Sequence, residues 1–327
     1  MAHADLSTRL SGMTVDQLRR YLLRRTRVGR KTVDALLADP RQAVRALGHV
    51  FRSRLRAELR ERRRVRRLGE IEEQLHAAGV DWVIGVDEAG RAPFAGPVVA
   101  AAVILPRGLR IRELDDSKRL DADTRERLFG EIRAAALDWS VGVASPRAID
   151  LVNIYQASVA AMRLAVSGLE AVAAGADYTL LIDGRRIRDF PYPHRAIVGG
   201  DGRCRAIAAA SVVAKVTRDR LMRSLHDAVP QYGFHLNKGY GTPEHVSCIR
   251  RHGICAYHRR TFAPVWDLGE TGSPEFRVWQ QEILGCEDEE RLGELAEEVK
   301  GLENSLLPQE LRTLTRLLQL ASQRLGE

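Results

Sequence analysis

The stretch WVIGVDEAGRAPFAGPVVAAAVILP, residues 82–106, decides how the rest of the chain is read. Residues 82–86 are a short run rich in β-branched side chains that ends in an acidic pair, Asp87 and Glu88. Residues 97–105 are a second apolar run, bounded by Gly96-Pro97 and by Pro106, and this predicts a second strand. Downstream, strands and helices alternate. Residues 123–136 read as a helix and 139–143 as a third strand. Residues 153–173 read as a long helix with Asn153 as its cap. Residues 178–182 form a strand ending at Asp183-Gly184, and 195–198 a weaker one. Residues 204–228 form an Ala/Val-rich helix, and 243–252 another with Thr242 as N-cap. The order predicts an α/β domain: a mixed sheet with helices packed on its faces.

Outside this region the character changes. Residues 1–78 read as helical, with apolar residues three and four apart in Leu18, Leu22 and Leu23 and again in Val44, Leu47, Val50 and Phe51. The Arg-dense segment 52–67 favours helix but has little apolar surface, which predicts a long exposed helix. Residues 266–327 are acidic and helical in pattern, following Gly272-Ser273-Pro274. Three parts result: a basic helical extension (1–78), a central α/β domain (79–265) and an acidic helical extension (266–327).

Charge separates the ends. Residues 1–70 hold 19 Lys/Arg against 7 Asp/Glu, a net of +12, whereas residues 265–327 hold 6 against 14, a net of −8. A basic end on a chain of net charge +8 points to a polyanionic partner, with a solvated helix face as the competing reading. The four cysteines show no C-x2-C spacing and are too sparse for a disulfide framework, which suits a reduced, cytoplasmic setting. The opening MAHADLSTRL has no apolar signal core, and the apolar span 97–106 is far too short to cross a bilayer.

The chemistry centres on carboxylates at predicted strand ends. Asp87 and Glu88 close one strand and Asp183 closes another. If those strands are neighbours, their acids repel one another and call for a hard divalent cation, which takes oxygen ligands. Asp219, on the helix 204–228, stands ready either to close such a site or to form an ion pair with Lys215 or Arg223, each four residues away. For Asp87 and Glu88 the competing reading is a simple turn after a strand.

Several long motifs occur in order: IGVDEAGRAPFAGPVVAAAVILP (84–106), DDSKRL (115–120), NIYQASVAAMRLAV (153–166), LLIDG (180–184), AIAAASVVAKVTRD (206–219), YGFHLNKGYGTPEH (232–245) and HRRTFAPV (258–265). Together they resemble the type 2 ribonucleases H, and within them the bacterial HII branch rather than HIII, which typically has Glu where this chain has Asp219. The resemblance implies an RNase H-like fold, and some bacterial HII enzymes carry a helical N-terminal extension that residues 1–78 loosely resemble. It implies a metal-dependent endonuclease that cuts RNA strands, or single ribonucleotides, paired to DNA, 5′ of the ribonucleotide, leaving a 3′-hydroxyl and a 5′-phosphate. Asp87, Glu88, Asp183 and Asp219 would be the metal-binding, catalytic acids, with Mg²⁺ or Mn²⁺ as cofactor and two ions during catalysis. Gly90, Arg91 and Ala92 would contact the 2′-hydroxyl and a phosphate through backbone. Tyr240 would pack at the RNA–DNA junction, and Ser117 and Lys118 would touch substrate. The expected partners are RNA/DNA hybrids and ribonucleotide-containing DNA, with no membrane, and the chain is expected to act as a monomer.

Two departures from the family pattern stand out. Ala92 replaces the last glycine of a Gly-Arg-Gly element, a change that matters if its φ is positive. Gly199-Gly200-Asp201 lacks the lysine of the family's Lys-Gly-Asp. The rival readings are a hybrid-binding protein with impaired catalysis and a broader RNase H-like nuclease. The histidines His194, His235, His245, His252 and His258 are read as surface or core residues.

Overall fold

The computed structural model describes residues 10, 12–25, 28–262, 265 and 273–325. The opening residues 1–9 and the boundary drawn at 265/266, which adjoins 266–272, lie outside them. The chain divides into two compact units, residues 1–70 and 71–327.

The first unit is helical: α1 (Val15–Leu23), α2 (Arg30–Leu37) and α3 (Gln42–Leu68). Thr14 starts α1 with a reciprocal capping box to Gln17. Leu10, Leu18, Leu22, Val33, Leu36, Val44 and Phe51 make a small core of their own. Arg41 locks the turn before α3, gripping Asp39 through Nε and Nη2 (2.8 and 2.7 Å) and donating to the carbonyls of Met13 and Leu10. The distal half of α3 leaves this core and carries the Arg-dense segment.

The helix Glu70–Ala77, here α4, belongs to the second unit from its second residue on, and that unit continues through β1 (Trp82–Ala89), β2 (Val98–Ile104), α5 (Ala122–Ala135), β3 (Asp138–Ala144), α6 (Pro146–Ser167), β4 (Tyr178–Asp183), β5 (His194–Ile197), α7 (Arg205–Ala228) and α8 (Pro243–His252). The five strands lie in the order β3-β2-β1-β4-β5. β1 is antiparallel to β2 and parallel to β4, and β4 is parallel to β5. Side chains alternate across the sheet. Ile84, Val86, Leu180 and Ile182 face α6, where Ala157, Ala161, Met162 and Ala165 complete the main core. Val83 and Leu181 face α7 with Ile197, Ala206 and Ile207. Gly85 lies on this second face because α7 crosses it almost in contact: a Cβ there would sit 2.0 Å from the Ala206 carbonyl carbon. Glu72 of α4 accepts the Ala206 N–H (2.5 Å), placing a carboxylate at the first turn of α7.

Two elements differ from the sequence expectation. β1 runs on to Ala89, so Asp87 and Glu88 belong to the strand, paired with Ala101 and Ala100 of β2. The helix expected from residue 153 begins at Pro146, capped by Ser145, and Asn153 breaks it with φ 70°. The Asn153 side chain then accepts the Gln156 N–H, so it caps the second segment as expected. That segment stops at Ser167, and a separate short helix follows at Glu170–Ala173.

At the end of the unit, α9 (Pro274–Gly285), α10 (Glu289–Lys300) and α11 (Pro308–Leu325) gather their own apolar cluster, with Phe276, Ile283, Leu295, Val299 and Leu314 at its centre. Among the described residues no helix is long and apolar enough to cross a membrane.

Candidate active site

The register of β1 on β4 creates the site. Val86 pairs with Ile182, so one step on Asp87 and Asp183 stand side by side on adjacent parallel strands, on the face covered by α7. Asp201 arrives from the turn Gly200–Gly202 just before α7. One carboxylate oxygen from each of Asp87, Asp183 and Asp201 lies within 4.8 Å of the others. Asp183 is oriented by the Gly200 N–H (2.7 Å) and Asp87 by the Glu88 N–H (2.7 Å). Burial, then the charges of Glu88 and Asp183, push the Asp87 pKa well above its ordinary value, against the pull of the Glu88 N–H and the Ser211 hydroxyl. Burial also raises Glu88, although its ion pair with Arg91 (3.2 Å) opposes the shift. Burial raises Asp201, aided by Asp116 and Asp183. A buried cluster of oxygen donors, in which the neighbouring carboxylates help to raise Asp87 and Asp201, is the donor set a hard divalent cation fits.

The other expected acids and contacts are placed as follows. Burial works against the Lys118 ammonium, but Asp116, Asp87, Asp201 and Asp183 outweigh it and raise its pKa. Ser117 is buried against Ser211 of α7 (2.8 Å between hydroxyls). Asp219 lies on α7 in an ion pair with Lys215 (2.7 Å), with Arg125 at 4.0 Å. It is outside the trio of carboxylates close enough to share one ion, and the intrahelical pair left open on the sequence is present. Asp201 was missed as an acid of the site. Its only signal was the turn-forming Gly199-Gly200-Asp201, and nothing in that tripeptide says where its carboxylate points.

Beside the acids, three segments are knitted together. Phe94 and Ala95 donate N–H groups to the Gly239 carbonyl, Gly96 donates to Tyr257, and Arg259 donates its own N–H to Phe94. Gly90 has φ 97°, and a Cβ on it would lie 2.1 Å from Nε of Arg218, so glycine is required there. The non-glycine residues with positive φ among those described are Glu113, Asn153, Asp189 and Lys238, and Ala92 is not one of them. Its extra methyl group therefore imposes no backbone strain. Tyr240 exposes its ring, with the Arg218 guanidinium carbon 6.0 Å from the ring centre.

Beneath Tyr240 lies a buried histidine pair. The Cys255 N–H donates to Nδ1 of His258 (2.9 Å), so His258 carries its proton on Nε2 and donates to Nε2 of His245 (3.1 Å). His245 must then donate from Nδ1 to the Tyr240 carbonyl (2.8 Å). Both rings are neutral in this chain of bonds. Burial, then the neighbouring His245, depresses the pKa of His258 to about 4, and burial lowers that of His245.

A mixed five-stranded sheet with acids gathered on its adjacent parallel strands and on the turn before α7 is the arrangement expected of a ribonuclease H-type hydrolase. A family model described as Ribonuclease HII matches residues 84–265, and the chain belongs to that family. Ribonuclease HII of Myxococcus xanthus (strain DK1622) is 44% identical over 277 residues, covering 81% of this chain and 93% of that protein. Ribonuclease HII of Xanthomonas campestris pv. campestris (strain B100) is 53% identical over 185 residues, covering 56% and 75%. Among solved structures, the ribonuclease H2 of Pyrococcus horikoshii OT3 is similar over 58% of this chain and 97% of its own, with a TM-score of 0.47 and 24% identity. The chain is thus a ribonuclease H endonuclease, and its aspartate cluster is consistent with use of a divalent metal.

Proposed function

We propose that this chain cuts the ribonucleotide-bearing strand of RNA/DNA hybrids and of DNA with embedded ribonucleotides, hydrolysing the phosphodiester 5′ of a ribonucleotide to leave a 3′-hydroxyl and a 5′-phosphate. The observation that carries this reading is the register that sets Asp87 beside Asp183. Asp87, Glu88, Asp183 and Asp219 are the proposed ligands of Mg²⁺ or Mn²⁺, with Asp201 near enough to Asp87 and Asp183 to share an ion with them. A bound divalent ion would supply an activated water and charge stabilisation at phosphorus. The chain's own residues prepare the place. Ser211 and the Glu88 N–H hold Asp87 still, and the Gly200 N–H holds Asp183. Asp219 must exchange Lys215 for the ion to take part. Backbone N–H groups of the Gly90–Ala92 loop and the exposed ring of Tyr240 are the proposed probes of the 2′-hydroxyl, the group that marks RNA. Impaired catalysis loses its motive, because Ala92 is not in a left-handed conformation.

The basic unit is proposed as an auxiliary clamp on nucleic-acid phosphates. Arg52, Arg56, Arg60, Arg63 and Arg67 recur three and four apart, so they share one face of α3 over about 22 Å. Glu58 and Glu61 lie on another face, paired with Arg62 and Arg64.

The test is purified protein with Mg²⁺ or Mn²⁺ on a DNA duplex holding one ribonucleotide, on an RNA/DNA hybrid and on plain DNA, with product ends mapped. Cuts 5′ of ribonucleotides in the first two and none in the third are expected. Cleavage of plain DNA, or binding without cleavage, would remove the reading.

A further inference from the structure

We propose that Arg218 and Arg259 are positioning residues that hold the Gly90–Ala92 loop and Tyr240 as one rigid unit, and thereby set how sharply a single ribose is told from deoxyribose. The proposal rests on the reading that this loop and Tyr240 probe the 2′-hydroxyl. Both arginines are fully buried, the two largest such side chains among the described residues. A buried guanidinium normally has a carboxylate partner, since an unpaired charge in the interior is costly. Among the described residues neither arginine ends in a salt bridge. Both spend their donors on backbone carbonyls instead.

The pattern of carbonyls carries the inference. Arg259 donates from Nη2 to Gly90 (2.6 Å), from Nη1 to Arg91 (2.9 Å) and from Nε to Gly96 (3.0 Å), closing the base of the loop. Arg218 donates from Nε to Pro97 (2.9 Å), from Nη2 to Ala95 (3.1 Å) and from Nη1 to Lys238 (3.0 Å), joining that base to the segment before Tyr240. Arg218 also fills the space where Gly90 lacks a side chain. A peptide unit is planar. Drawing the Gly90 and Arg91 carbonyls inward therefore turns the N–H groups of Arg91 and Ala92 the opposite way, and these are donors of the proposed probe. A planar fork with five donors can serve three carbonyls at fixed angles, whereas an ammonium on a flexible stem cannot.

The experiment uses the full-length Arg259→Lys and Arg218→Lys variants, which keep the charge and lose the fork. kcat/KM is measured on a duplex with one ribonucleotide and on a long RNA/DNA hybrid, with amide exchange followed over residues 88–97 and 237–242. The expected result is a fall of about tenfold in the ratio of single-ribonucleotide to hybrid cleavage, because a small misplacement of recognising groups costs most where one ribose alone is read. Faster exchange in both segments accompanies it. An equal loss on both substrates, or an unchanged ratio, overturns the proposal. So does failure of both variants to fold, which would make the arginines structural supports only. If the wild type does not cut at a lone ribonucleotide, the recognition reading itself fails. A wild type that discriminates beside variants that discriminate equally well overturns the arginine assignment alone.

Discussion

The arginines of α3 and the two beneath the Gly90 loop are the same side chain under opposite conditions. On α3, Arg56, Arg60, Arg63 and Arg67 stand in water on a face without acids, where salt screens them and their geometry is loose. Arg218 and Arg259 are dry, and each is held by directed bonds to carbonyls. Burial, then the charge of Arg218, lowers the pKa of Arg259 to about 9, so that guanidinium is held at an electrostatic cost. The difference separates two uses of one chemistry: the exposed set suits a mobile polyanion and long reach, and the buried set fixes internal geometry that salt does not touch.

The largest expected effect falls on the carboxylates. Asp87→Asn or Asp183→Asn should reduce cleavage below detection while hybrid binding stays measurable, because a neutral amide is a poor ligand for a hard cation. Near-normal turnover at saturating Mg²⁺ would remove the site and leave the arginines nothing to support. Next, the two sets should part in stability. Arg259→Ala strands several buried carbonyls and should cost about 3–5 kcal/mol in urea unfolding, whereas Arg60→Ala should leave the midpoint unmoved. Equal effects would collapse the distinction.

The buried histidines sharpen the same contrast through pH. The pKa of His258 is about 4 when folded against an ordinary 6.5. Below pH 6.5 the unfolded chain takes up the proton first, so stability present above 6.5 drains away as pH falls toward 4. The full difference corresponds to about 3 kcal/mol. His258→Asn, which keeps an acceptor for the Cys255 N–H, should flatten that part of the stability–pH curve. An unchanged curve would mean that the pair is not neutral as bonded. A smaller effect concerns salt. Changing Arg56, Arg60, Arg63 and Arg67 to Gln should reduce the slope of log affinity against log salt by about 0.9 for each phosphate no longer neutralised, while Arg259→Lys leaves that slope alone. An unchanged slope in the stripe variant would sink the clamp. Smallest of all, Ala92→Gly should change single-ribonucleotide cleavage by less than about threefold, since an N–H serves equally in either residue. Rescue of an inert wild type by this change would refute that.

The sheet and most helices were legible because their periodicity is local: β-branched runs mark the strands, and Thr242 marks the start of α8 as it should. What escaped depends on neighbours distant in sequence. Asp87 and Glu88 looked like a strand's end because acids are rare within strands, yet pairing with β2 carries the strand past them. The start of α6 was missed because Asn153 interrupts the helix with a left-handed residue, and the seven residues before it are too few to show a period. Asp87 and Asp183 were readable as acids that end apolar runs. Asp201 was not, since its place follows from how the turn before α7 folds back over β4. Arg218 and Arg259 were least readable of all, for composition rules send arginine to the surface.

The parallel pairing of β1 with β4 has a consequence in time. β1, β2 and β3 follow one another along the chain and pair antiparallel, so they close small loops early. Asp183 lies 96 positions after Asp87, beyond α6, and its strand joins only once that long crossover has closed. During synthesis from the N-terminus, a nascent chain ending before residue 183 therefore carries Asp87 of the carboxylate cluster but neither Asp183 nor Asp201. The proposed ion site is complete only once residues 183 and 201 have been made and β4 has paired with β1, so a shorter polypeptide lacks part of its donor set.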